Sequence, residues 1–110
     1  MTSEFEDING VKVVRFNGDL DTNSSPEAEA FLLGLIDDGT DRITISFSQL
    51  NYVSSAGLRI LLASAKKLKA TGGKLALCCL NETVQEVFEI SGFLSILNVY
   101  KTEEEALASF

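Results

Sequence analysis

Two adjacent serines, Ser54 and Ser55, carry the side chains of this chain that are best placed to do chemistry. They lie between a segment typical of a strand, residues 42–47, and a segment typical of a helix, residues 58–70. The first turn of a helix has backbone N–H groups without partners and a partial positive charge, so a phosphate is stabilised there. Serine is also a favoured N-cap residue, and either hydroxyl could serve only to cap the helix. The residue types alone leave both interpretations open.

Several kinds of catalytic and metal site are excluded by the composition. The chain has no histidine, which removes histidine-based acid–base catalysis, a catalytic triad and the commonest metal ligand. Its two cysteines, Cys78 and Cys79, are neighbours in the apolar run 75–80, where a strand would point them to opposite faces. We therefore expect a reduced, buried pair that forms neither a disulfide with each other nor a metal site. There is no nucleophile elbow and no glycine-rich phosphate loop followed by lysine, so we expect neither an enzyme nor a cofactor.

The charge is unevenly distributed along the chain. The net charge is −7, yet the span 42–81 contains six Lys and Arg residues and no Asp or Glu, and all sixteen acids lie outside it. The span around the two serines would therefore tolerate added negative charge, whereas an acidic total argues against nucleic acid as the main partner. No apolar run reaches the ~18 residues that cross a bilayer, and the start of the chain lacks the basic and apolar regions of a signal peptide. We expect a cytoplasmic protein with no membrane partner.

The elements that must position the serines follow from turn residues, caps and hydrophobic periodicity. Asn9-Gly10, the strongest short hairpin signal, joins two alternating runs, and Asn81 and Thr102 stand where helices should begin. The pattern predicts strands over residues 5–8, 11–16, 42–47, 75–80 and 96–100, and helices that begin near residues 26, 58, 82 and 103.

This order of elements, β-β-α-β-α-β-α-β-α, is typical of an α/β fold in which an antiparallel hairpin precedes strand–helix–strand units. Each such unit implies a parallel pair and a right-handed crossover. Sites in open α/β sheets gather beyond the C-terminal ends of the strands. Both Gly18-Asp19-Leu20-Asp21 and Val53-Ser54-Ser55 are predicted to lie past such ends, and we expect them to form one functional edge.

The ordered set of motifs resembles the STAS-domain family, the bacterial anti-sigma factor antagonists. The likeness covers nearly the whole chain and implies a single domain over residues 1–110. It is carried by the opening hairpin and by four segments: Gly18-Asp19-Leu20-Asp21, residues 52–59, Gly72-Gly73-Lys74-Leu75 and Gly92-Phe93. The resemblance implies a STAS-like open mixed sheet, with the hairpin first and βα units after it, and about four helices mainly on one face.

The same resemblance implies a phosphorylation switch. The phosphorylated residue of the family is a Ser or Thr two places before the motif glycine, here Ser55 before Gly57, and Ser54 stands where the family often has Asp. The unmodified protein would bind an anti-sigma factor that is also a serine kinase, and so free a sigma factor. The kinase would then phosphorylate Ser55 with ATP, the complex would dissociate, and a separate serine phosphatase would restore it. The implied partner-binding residues are Asp19, Asp21, Ser54, Ser55, Ala56, Gly57 and Arg59.

Other functions remain open on the sequence alone. A STAS domain can instead be a regulatory subunit of another assembly, such as a signalling or lipid-transport complex, in which the serine is a contact or is unused. The sequence does not separate these two functions. A phospho-aspartate receiver domain needs an aspartate at the end of its central strand, where Phe47 is followed here by Ser48-Gln49, and this argues against such a domain.

Overall fold

A hairpin opens the fold at the position that the Asn-Gly pair predicts. The computed structural model describes all 110 residues, Met1–Phe110. Strand β1 (Thr2–Ile8) pairs antiparallel with β2 (Val11–Leu20), and the turn residues Asn9 and Gly10 have φ angles of 52° and 82°. Positive φ at both central positions is the geometry of a type I′ turn, which matches the twist of the flanking strands.

Three parallel strands complete a five-stranded sheet with the spatial order β1-β2-β3-β4-β5. These strands are β3 (Arg42–Val53), β4 (Lys74–Cys78) and β5 (Asn98–Tyr100). The helices are α1 (Ser25–Asp37), α2 (Ser55–Ala70), α3 (Glu82–Ser91) and α4 (Glu103–Ala108), with a short 3₁₀ turn at Phe93–Ser95. The predicted order of strands and helices and the open mixed sheet are both confirmed.

Three helices cover one face of the sheet and the fourth covers the other. The main core lies between the sheet and α1, α2 and α3, where the fully buried rings of Phe47 and Phe88 meet edge to face at 6.0 Å. On the opposite face, Ala76 and Cys78 pack against Ala106 of α4. The small side chains on that face let a short helix lie close to the sheet. The prediction of about four helices mainly on one face is therefore confirmed.

Strands β2 and β3 run further than predicted, to Leu20 and Val53 rather than to residues 16 and 47. The register between the two strands shifts twice, just after Arg15 and just after Gly18. Each irregularity breaks the alternation of buried and exposed side chains from which a strand is predicted. The backbone pairing nevertheless continues and carries both strands to the edge where the serines lie.

The strand predicted over residues 75–80 is shorter, because β4 ends at Cys78. Cys79 has a φ of 64°, a left-handed conformation that does not continue a strand. Both thiols are free, as predicted, but Cys78 is buried and Cys79 is half-buried, so the expectation of a buried pair is wrong for the second cysteine. Burial raises the pKa of the Cys78 thiol to about 12 and keeps it protonated.

Candidate functional site

The C-terminal ends of β2 and β3 lie side by side and bring the two predicted segments together. Leu20 pairs with Val53 in the parallel register, and the Ser54 N–H donates to the Leu20 carbonyl oxygen at 2.8 Å. We call this surface the serine edge (residues 18–21 and 52–57), and its existence as one edge was predicted. Residues 18–21 and 53–55 were predicted to lie past the ends of the strands. This is wrong for residues 18–20 and Val53, which still belong to β2 and β3.

The two serines have different roles in the structure. Ser54 is the N-cap of α2, with an extended backbone (φ −85°, ψ 172°), and its Oγ accepts a hydrogen bond from the Gly57 N–H at 3.2 Å. Ser55 is the first residue of the helix; it is exposed, and its hydroxyl makes no hydrogen bond. The alternative left open by the sequence is therefore decided: Ser54 caps the helix, and Ser55 presents a free hydroxyl to solvent.

The first turn of α2 has free hydrogen-bond donors. The N–H groups of Ser55 and Ala56 donate to no protein acceptor, whereas the Gly57 N–H is occupied by the cap. No acidic residue lies in this turn. The free N–H groups and the positive end of the helix dipole therefore favour an anion on the Ser55 side chain.

Gly57 allows α2 to approach the end of β2. A Cβ atom at this position would lie 2.8 Å from Leu20 Cγ and 2.9 Å from the Leu20 carbonyl oxygen, distances that real Cβ contacts essentially never show. Gly57 is buried within the helix, so it is needed for close packing. A larger residue would push the start of α2 away from β2 and would take Ser55 with it.

Asp19 and Asp21 differ as clearly as the two serines do. The Oδ1 atom of Asp21 accepts hydrogen bonds from the N–H of Asn23 at 2.9 Å and the N–H of Ser24 at 3.0 Å, and the Ser24 hydroxyl donates to the Asp19 carbonyl oxygen at 2.7 Å. The Ser24 N–H, more than the other donors, holds the pKa of the Asp21 carboxyl below its ordinary value. Asp19 is exposed, and its carboxylate makes no hydrogen bond or ion pair. Asp21 therefore holds the loop, whereas the Asp19 carboxylate is free.

A groove of about 480 Å³ lies between α1 and α2 beside the serine edge. Ala56 and Arg59 line its α2 wall, and Glu29 lines its α1 wall. Arg59 is exposed and takes part in none of the four ion pairs of the structure. The groove therefore presents a free guanidinium group one helical turn beyond the Ser55 hydroxyl.

Tyr52 is a surface aromatic residue that the sequence pattern placed in the motif but not among the partner-binding residues. It is 45% exposed near the end of β3, where it pairs with Asp19 of β2. Tyrosine is enriched at protein interfaces and among the residues that contribute most to binding. The sequence signal that could have identified Tyr52 as a partner-binding residue is an aromatic side chain in a polar stretch shortly before a helix.

The serine edge and its groove present a free hydroxyl, two free N–H groups and a guanidinium group, a combination suited to accepting a phosphoryl group. No cluster of His, Cys, Asp or Glu side chains in the structure is arranged to hold a metal ion. None of the helices has both the length and the apolar character required of a membrane span.

Comparison with known proteins gives one consistent family. The family model described as the STAS domain matches residues 2–106. The protein named "Putative anti-sigma factor antagonist BtrV" from Bordetella bronchiseptica is 40% identical over 110 residues, which is 100% of this chain and 95% of that protein. The crystal structure of an anti-sigma factor antagonist from Mycobacterium paratuberculosis is 25% identical, with a TM-score of 0.91 and coverage of 98% of this chain and 92% of that one. The structure of the Bacillus cell fate determinant SpoIIAA in the phosphorylated form is 26% identical, with a TM-score of 0.74 and coverage of 98% of both chains.

Proposed function

The chain belongs to the STAS-domain family, and we propose that it is an anti-sigma factor antagonist that is switched off by phosphorylation of Ser55. In the unmodified state it binds an anti-sigma factor that is also a serine kinase, and a sigma factor is released. The kinase transfers a phosphoryl group from ATP to Ser55, the complex dissociates, and a serine phosphatase removes the phosphate. The chain acts in the cytoplasm as the protein substrate of these reactions and is not itself an enzyme.

The observation that carries the proposal is the different use of the two serine hydroxyls. The Ser54 Oγ is occupied by the Gly57 N–H, whereas the Ser55 hydroxyl is exposed and unpaired. A kinase requires a hydroxyl oxygen that can align with the γ-phosphorus of ATP. Ser55 meets this requirement with α2 intact, whereas Ser54 would first have to give up its cap.

Phosphoryl transfer replaces the hydroxyl proton of Ser55 with a group that carries about −1.5 to −2 charges. The bond from Oγ to the γ-phosphorus forms as the bond from that phosphorus to the β,γ-bridging oxygen breaks, ADP leaves, and the hydroxyl proton passes to a base of the kinase. The free N–H groups of Ser55 and Ala56 stabilise the new charge on this chain. A partner surface packed on an uncharged serine would have to desolvate the phosphate without a counter-charge, and the complex is therefore weakened.

The surface that meets the kinase is the serine edge together with the groove beside it. Tyr52 supplies exposed aromatic area, and Asp19 and Arg59 supply the free charges on either side. Ser55 is the phosphate acceptor within this surface. The remaining residues that we assign to it either hold its geometry or line the groove; they are Asp21, Ser54, Ala56 and Gly57.

Phosphate mapping tests the proposal. The protein is incubated with ATP and serine-kinase anti-sigma factors from its own organism, and the added phosphate is located by mass spectrometry. We expect one phosphate on Ser55, its loss in Ser55→Ala with partner binding retained, and its persistence in the matched control Ser54→Ala. Phosphate that persists in Ser55→Ala and disappears in Ser54→Ala would place the acceptor one residue earlier. Binding to a different assembly without any phosphate on Ser55 would instead favour a regulatory subunit of that assembly.

A further inference from the structure

We propose that a phosphate on Ser55 pairs with Arg59 of the same helix, so that phosphorylation both adds negative charge to the serine edge and withdraws a free cation from it. The inference rests on the proposed function, because it concerns the phosphorylated state of Ser55. Arg59 follows Ser55 by four residues in α2. Residues at this spacing share one face of a helix, with Cβ atoms about 5–6 Å apart. A phosphate and a guanidinium group can therefore meet without any change in the backbone.

Arg59 is available for this contact. It is exposed and forms no ion pair, although Glu29 lies on the opposite wall of the same groove. Both groups can pair with a guanidinium group through two parallel hydrogen bonds, but a phosphate is the stronger partner because it brings up to two charges. The phosphate on Ser55 is thus expected to take Arg59 rather than leave it to Glu29.

Four other basic side chains cannot take the place of Arg59, because each is distant or already paired. Lys66 is eleven positions beyond Ser55 in α2, which is about 16 Å along the helix axis. Arg15 is held by Glu6 at 3.0 Å and by Glu103 at 2.8 Å. The other ion-paired cations, Lys12 and Lys67, are held by Asp7 and Asp37.

The acids of the serine edge direct the phosphate toward Arg59. Asp19 and Asp21 lie at the end of β2, which is paired with β3 immediately before Ser55. The Met1 α-ammonium group beside them offsets one of these two negative charges. The remaining negative charge disfavours a phosphate on that side, whereas Arg59 attracts it along α2. The charged groups around the modified side chain are therefore Asp19 at the end of β2, Asp21 just after it, the Met1 α-ammonium group beside these two acids, Glu29 from α1 and Arg59 from α2.

The pairing explains how one modification changes the surface twice. Before phosphorylation, the free Arg59 can bind a carboxylate of the partner. After phosphorylation, Arg59 is engaged within its own helix, and the pair carries about one net negative charge. A partner that uses an acidic side chain at this point would lose its cation and meet an anion.

A phosphorus NMR titration of the full chain tests the pairing without any kinase. Phosphoserine is placed at position 55 by genetic encoding, and the second pKa of the phosphate is measured by ³¹P chemical shift against pH. With two parallel hydrogen bonds the guanidinium charge lies about 4 Å from the phosphate, and in water it should lower this pKa by about 0.7 unit. Relative to the phosphorylated chain that keeps Arg59, we expect the phosphate pKa to rise by about that amount in Arg59→Gln. In Arg59→Lys the pKa should be close to that of the unsubstituted chain, because the positive charge is kept. In the matched control Lys66→Gln it should stay unchanged.

Two results would overturn the pairing. One is an identical phosphate pKa in the unsubstituted chain and in Arg59→Gln. The other is an equal rise in Lys66→Gln, which would mean that the phosphate senses only the general charge of α2. Because phosphoserine is installed directly, a chain that no kinase phosphorylates can still show the pairing, and a chain without the pairing can still be phosphorylated on Ser55. The failure of this inference and that of the proposed function are therefore distinguishable.

Discussion

Replacement of Gly57 by alanine tests how α2 is held at the serine edge. The added methyl group would lie 2.8 Å from Leu20 Cγ and 2.9 Å from the Leu20 carbonyl oxygen. The side chain of Leu20 has little freedom, since it is fully buried in the core. Its carbonyl oxygen accepts the Ser54 N–H at 2.8 Å, so a movement of either backbone disturbs that hydrogen bond. The clash must therefore be relieved by moving the start of α2.

Opposing effects determine how much Gly57→Ala changes the free energy of unfolding. Alanine is favoured over glycine within a helix by about 1 kcal/mol. Overpacking of a well-packed core costs about 1–3 kcal/mol, and a weakened hydrogen bond to Leu20 costs roughly 1 kcal/mol more. We expect Gly57→Ala to lower the free energy of unfolding by about 1–3 kcal/mol. With about 2.1 cal/mol/K of unfolding entropy per residue, this corresponds to a fall in Tm of about 4–13 °C for a chain of this length.

Gly34 provides the matched control, because it is also a helical glycine but has no atom within 4 Å of the place where its Cβ would be. Gly34→Ala should therefore raise the stability by about 1 kcal/mol. Thermal and urea unfolding followed by circular dichroism measure both variants, and phosphorylation of folded Gly57→Ala should be slower because Ser55 is displaced. A Gly57→Ala protein at least as stable as the unsubstituted chain, beside a stabilised Gly34→Ala, would refute the packing argument.

Three further outcomes are expected. Ser54→Ala should lose about 1 kcal/mol of unfolding free energy because the cap is missing, whereas Ser55→Ala should change it by only about a few tenths of a kcal/mol. Urea unfolding measures both variants, and equal losses would contradict the assignment of Ser54 as the cap. Asp21→Asn should destabilise the chain at neutral pH. Since the pKa of this carboxyl is lowered in the fold, its contribution is present above the ordinary value of 3.8 and is lost as the pH falls through the folded-state pKa. Urea midpoints over a pH series measure this effect, and a difference that persists unchanged in strong acid would count against it. Asp19→Asn should bind the partner kinase more weakly, as measured by calorimetry. The matched control Asp41→Asn removes an exposed charge at the opposite end of the sheet and should bind as the unsubstituted chain does. Equal affinities of the two variants would show that Asp19 is not part of the partner surface.

Local signals in the sequence determined the order of the elements and the points where most helices begin. Asn9 and Gly10 form the predicted turn. Asn81 Oδ1 accepts the Val84 N–H at 2.8 Å, and Thr102 Oγ1 accepts a backbone N–H at 3.1 Å, so both residues cap helices as expected. These features depend on residues within a few positions of one another, and residue types at short spacing therefore suffice to predict them.

Contacts between distant segments decided the details of the serine edge. Two adjacent serines have the same intrinsic preference for an N-cap, so the sequence could not assign the cap to one of them. The hydrogen bond from the Ser54 N–H to the Leu20 carbonyl fixes where β3 ends, and the contact of Gly57 with Leu20 fixes how closely α2 begins behind it. Ser54 consequently becomes the cap, and Ser55 is left with a free hydroxyl. Contacts between distant segments also decided the lengths of β2 and β3. Backbone pairing between the two strands continues past the residues at which the alternation of apolar and polar side chains stops.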